Sequence, residues 1–123
     1  MANPNIVNVT SIYGNTSYLI PSTTAATVWT ALTPAAGTVN KIDNIVAANV
    51  TASAANVTVS INSATAGGGT AYRIASTISV PAYASLIVVD KTTAFYCGES
   101  QSIVVTVGTS SAIEFTASYE AIT

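Results

Sequence analysis

The chain has 123 residues, half of them hydrophobic and only 7% charged, with a net charge of −2. That length gives one domain with a real core, and three scattered cations, Lys41, Arg73 and Lys91, cannot build the basic face a nucleic-acid binder needs. With charge well below the usual quarter or so, the polar surface falls to Thr, Ser and Asn, little repulsion keeps copies apart, and the composition suits life in an assembly.

Residues 5 to 13, NIVNVTSIY, put Val7 and Val9 on one face and Ile6 and Ile12 on the other. They read as a first strand, or as an arm of residues 1 to 13 that pairs with a neighbour. Gly14-Asn15 gives a turn, and Ser17 to Ile20 a short strand stopped by Pro21. The segment 25 to 32, AATVWTAL, holds the only tryptophan. Trp29 is either the largest side chain of the core or an exposed anchor at an interface. Thr and Val crowd that segment against a helix, and Pro34 ends it.

After a turn at 34 to 37, residues 38 to 50 make a longer strand. Its apolar residues Val39, Ile42 and Ile45 are spaced by three, which predicts a bulge. Val57 to Asn62 alternates cleanly, and SATAGGG at 63 to 69 is a loop. Residues 72 to 80 return as a strand with Ile74, Ile78 and Val80 in phase, and Pro81-Ala82-Tyr83 turns the chain. Leu86 to Val89 reads as a continuous buried run closed by Asp90-Lys91. Phe95-Tyr96-Cys97 is a short strand or edge, Gly98-Glu99-Ser100 turns, and Ile103 to Val107 is another apolar run. Residues 112 to 119 alternate again, with Ile113, Phe115, Ala117 and Tyr119 on one face.

About eight strands with turn signals every 8 to 12 residues or so predict an all-β, antiparallel β-sandwich. Jelly-roll and immunoglobulin-like wirings both fit. Cys97 is alone, so packing must hold the fold, and no basic neighbour makes it a thiolate. The start MANPNIVNV has no basic region before a long apolar stretch, so no secretory leader is expected. No apolar run approaches the length of a membrane helix.

The chain has no histidine, which removes the usual general base and metal ligand. The carboxylates are Asp43, Asp90, Glu99, Glu114 and Glu120. Asp90 and Glu99 fall in turns, where acids face solvent. Glu114 and Glu120 share a strand face but lie roughly 20 Å apart at strand rise, too far for a paired-carboxylate hydrolase. Neither a metal nor a cofactor is expected, because no Asp-x-Asp cluster exists for calcium. Gly67-Gly68-Gly69 lacks the lysine and helix of a phosphate cradle. Sequons start at Asn8, Asn15, Asn49 and Asn56, about as many as chance gives in a chain this rich in Ser and Thr. The six tyrosines sit mostly at strand ends, suited to partly buried contacts. The interface candidates are therefore Ile6, Val7, Val9, Ile12, Tyr13, Trp29, Tyr83 and Tyr96.

VPAYASLIVVDK, AFYCGESQSIVVTV and the closing AIEFTASYEAIT, with MANPNIVNVTSIYG and KIDNIVAANV before them, resemble small β-sandwich virion proteins of tailed bacteriophages, of the marine phage and cyanophage type. The likeness runs over most of the chain. It departs at the turn before the last but one strand, where that group often has Glu-Gly-Asp-Ser and this chain has Gly98-Glu99-Ser100-Gln101-Ser102. The resemblance implies a non-catalytic structural protein of the virion. Its expected role is a capsid decoration (cement) protein, a homo-oligomer, commonly a trimer, on the major capsid protein. A tail, neck or fibre position is the alternative, and a carbohydrate-binding module is the rival from another class.

Overall fold

The computed structural model describes residues 4–123. Alternating β-branched and small polar residues favour extended backbone, and the described residues form nine strands. These are β1 (Ile12–Leu19), β2 (Thr27–Val28), β3 (Val39–Asn49), β4 (Ala55–Asn62), β5 (Ala71–Val80), β6 (Ser85–Val89), β7 (Phe95–Cys97), β8 (Ser102–Val107) and β9 (Ile113–Ile122). Short 3-10 turns occupy Thr30–Leu32 and Thr65–Gly67.

Sheet I runs β1-β9-β3-β6, with β7 also on β3; sheet II runs β2-β8-β4-β5. All pairs are antiparallel. An immunoglobulin-like sandwich keeps its first two strands side by side. Here β1 and β2 lie in different sheets, and each is the edge next to a strand from the C-terminal end of the chain. That is the wiring of a jelly roll. The β-sandwich expected from the sequence is present, and its wiring is resolved.

The inner faces enclose one core built from Trp29, Leu32, Ile42, Ile45, Val57, Val59, Val105, Ile113 and Phe115 among others. Trp29 meets Phe115 edge to face, with ring centroids 5.9 Å apart and planes at 63°. Its indole N–H donates to Ser17 Oγ at 3.0 Å, so the one polar atom of a buried ring is satisfied.

Several expectations change here. Residues 6 to 8 turn the chain, no strand forms among residues 5 to 11, and β1 begins at Ile12. Gly14-Asn15 is no turn but lies inside β1, because eight residues in unbroken register with β9 hold it extended. The part of the expected arm at residues 1 to 3 lies outside the described residues. Leu86 to Val89 is not buried throughout. It belongs to edge strand β6, where Val89 enters the core and Ile87 is 65% exposed. The continuous buried run is β8, in which Ser102 to Val105 and Val107 are all buried. The loop at 63–70 folds over the outer side of β8, where Gly67 N–H donates to Ser102 Oγ and Ser102 Oγ donates to Ala64 O. The bulge in β3 is present, as a register shift between Ile42 and Asn44. β5 carries register shifts against β4 on either side of Val59, so Ala75 takes the buried place while Ile74 and Ile78 stay partly exposed.

Candidate functional site

Residues opposite one another in a sheet share a face, so the register defines the outer surface of sheet I row by row. One row crosses β1, β9, β3 and β6: Tyr18 opposite Thr116, Thr116 opposite Val46, Val46 opposite Ile87. Its ends, Tyr18 at 76% and Ile87 at 65% exposure, are open to solvent. A second apolar row lies at the far end of the same face: Ile12 opposite Ile122, and Ile122 opposite Val39. Between them Gly14, Glu120, Lys41 and Tyr96 form a mixed row. The Lys41 ammonium is 3.8 Å from Asp43 Oδ1, a partly solvated pair that contributes little to stability.

The N-terminal segment folds back onto the second row. Thr10 N–H donates to Thr123 O at 2.7 Å, extending the β1–β9 ladder. Asn5 turns the chain by accepting the Val7 and Asn8 N–H groups. Pro4 and Ile6 then line a shallow cleft of about 240 Å³ with Val39 and Tyr96. Val39 and Ile122 are buried, whereas Val7, at the turn, is 91% exposed.

Of the interface candidates, the structure gathers Ile6, Val7, Ile12 and Tyr96 at this end of sheet I, with Val9 half-buried beside them. Tyr13 is exposed on the opposite face of β1. Tyr83 is exposed elsewhere, in the β5–β6 turn, at φ +57 with its N–H on Thr51 O. Trp29 is not a surface anchor. At 1% exposure it is the largest side chain of the core. Sequence reasoning missed Tyr18 and Ile87 as surface residues, because alternation alone does not say which strand lies at an edge.

The outer face of sheet II differs. A groove of about 280 Å³ is lined by Thr24, Asn56, Thr58, Thr77, Thr106, Val107 and Gly108. Thr77 sits there at φ +49, a conformation that β-branched residues rarely adopt. Its N–H donates to Thr58 Oγ1 at 2.8 Å, which helps fix the backbone in place.

The titratable groups do structural work. The Thr92 hydroxyl and N–H, with Thr93, hold the exposed Asp90 carboxyl below its usual range. Burial pushes the Cys97 thiol up to about 11. Glu99, expected to face solvent, is instead half-buried and accepts Gly37 N–H at 2.7 Å, tying two turns together. Asn49, in one of the sequons, is buried and satisfied by Thr51, Ser53 and Val80, so its amide serves the β3–β4 connection. Among the described residues no group of three or more His, Cys, Asp or Glu could hold a metal ion, and no helix is long and apolar enough to cross a membrane. Comparison with protein-family models, curated proteins and solved structures finds no match to this chain.

Proposed function

We propose that this chain is a non-catalytic structural protein of a tailed-phage virion, a decoration protein that docks in many copies on the major capsid protein. The observation that carries this reading is the outer face of sheet I. Two exposed or strapped apolar rows flank a mixed middle row in which Lys41 offsets part of the Glu120 and Asp43 charge, on a chain whose low overall charge leaves copies free to crowd. The resemblance to small phage virion proteins supplies the shell. Docking would place the Tyr18–Ile87 row and the Val7 turn against neighbouring capsid subunits, with no reaction step and no cofactor.

Mass spectrometry of purified virions, scaled to the major capsid protein, tests this reading. Copy numbers approaching the capsid protein's are expected. A small fraction would move the chain to tail, neck or fibres, and absence from the particle would overturn the virion reading. Truncation should stop before Thr10, whose N–H belongs to the ladder. Removing residues 1 to 9 is expected to leave the strand content unchanged and abolish binding to stripped capsids. Retained binding would sink the role of the N-terminal segment.

The threonine groove favours one second reading, recognition of a neutral sugar by hydroxyl and amide groups, with strained Thr77 as the mark of a binding site. Glycan binding lost in Thr58→Val and kept in the N-terminal truncation would move the function to sheet II.

A further inference from the structure

Sheet I ends at β1, whose outer side has no strand partner among the described residues, and we propose that a second copy of this chain fills it, β1 pairing antiparallel with β1 about a two-fold axis at Asn15. This goes beyond the shell-docking reading and does not depend on it.

The backbone sets the register. Thr123 N–H donates to Ser11 O at 2.9 Å and Ser11 N–H to Thr123 O at 3.4 Å, so these two form a bonded pair. Bonded and non-bonded pairs alternate along an antiparallel ladder, and the register from Ile12↔Ile122 to Leu19↔Phe115 is unbroken. Tyr13, Asn15, Ser17 and Leu19 therefore bond to β9. The N–H and C=O groups of Ile12, Gly14, Thr16 and Tyr18 point to the open side. Ser118 N–H agrees with this phase, since it turns toward β3 to reach Asn44 Oδ1.

One self-pairing uses all four outward residues. It sets Ile12 opposite Tyr18 of the second copy, Gly14 opposite Thr16, and Asn15 opposite Asn15. Each cross-copy Ile–Tyr contact is an aromatic–β-branched pair of the kind that stabilises sheets. The Ile87–Val46–Thr116–Tyr18 row then runs on into Ile12, Ile122 and Val39 of the second copy. No like charges meet, because β1 carries none.

The other edges are guarded in ways that β1 is not. Among the described strands, β5 is bulged and carries Arg73, β6 and β7 are interrupted by Asp90-Lys91, and β2 has two residues. Gly14 adds an independent sign. It is not at positive φ, and a Cβ there would meet nothing within 4 Å. Glycine within a strand commonly marks the close approach of another backbone. Nothing in the single chain calls for it.

Sedimentation equilibrium of the full chain tests the pairing, with twice the chain mass expected. Thr16→Pro removes an outward N–H and no bond within the chain, and Asn15→Glu sets two carboxylates face to face. Each is expected to weaken association at least tenfold with the circular dichroism unchanged. Asn15→Cys should cross-link to its own counterpart under mild oxidation, while Thr16→Cys, facing Gly14, should not; Cys97 is fully buried and does not compete. A single-chain mass at every concentration would overturn the proposal. So would a dimer untouched by both Thr16→Pro and Asn15→Glu, or cross-linking through Thr16→Cys in place of Asn15→Cys. A dimer that binds no capsid would leave the pairing standing and remove only the shell-docking role.

Discussion

Trp29 shows how far residue type alone reaches. An indole is valued equally by a core and by an interface, and what decides is a partner twelve positions away in sequence, Ser17, which sequence does not advertise. Cys97 was easier to read. Its flanking aromatics and lack of a basic neighbour predict a packed thiol, and it lies fully buried on β7. Burial raises its thiol from 9.0 to about 11. Between those values the unfolded chain releases the proton and the folded chain keeps it. This contribution to stability is therefore intact below pH 9 and falls as pH rises toward about 11, at about 1.4 kcal/mol per pH unit. Urea unfolding from pH 8 to 11 or so, with Cys97→Ala as reference for the tyrosines, should show the wild type losing stability faster. Parallel slopes would contradict a protonated buried thiol.

At the scale of elements, periodicity located nearly every strand from β3 onward. It failed where tertiary contacts set the phase. The β3 bulge was legible because two large residues of the expected spacing, Ile42 and Ile45, stand three apart and both face the core across it. Val39, by contrast, lies on the outer face by ordinary alternation. The irregular pairing of β5 was hidden, because Ala75, Ser76 and Thr77 look alike on either face. Likewise no pattern says that the 63–70 loop will be what covers the outer side of β8. Thr77 bears the local cost of the β5 irregularity, about 1–3 kcal/mol for such a backbone. Thr77→Gly, which accepts positive φ without a Cβ clash, is expected to raise stability by about 1 kcal/mol, or roughly 3–6 °C in Tm. A lower Tm would mean that the Thr58–Thr77 contacts outweigh the strain.

For the whole molecule, the sandwich was legible and the surface was not. Composition predicts a crowd-tolerant chain, and the strand pattern predicts two sheets. Which rows face outward depends on which strand ends up at an edge, a long-range outcome that no local window contains. The same long-range wiring places β9, residues 113 to 122, in the interior of sheet I between β1 and β3. Of the nine described strands, the latest in chain order is the one that joins the earliest to the rest. While β9 is still inside the ribosome, β1 has no neighbour in the sheet, and Trp29 lacks Phe115. Sheet I then cannot close until β9 has left the tunnel. A nascent chain stalled with β9 in the exit tunnel should be cut by protease throughout, and should become resistant once residue 122 emerges. Protection of residues 12 to 80 before that point would show that an earlier, partial sandwich holds by itself. Until β9 arrives, the apolar strands already made are open to one another on neighbouring ribosomes, which makes synthesis rate, as well as stability, a determinant of how much usable protein a cell obtains.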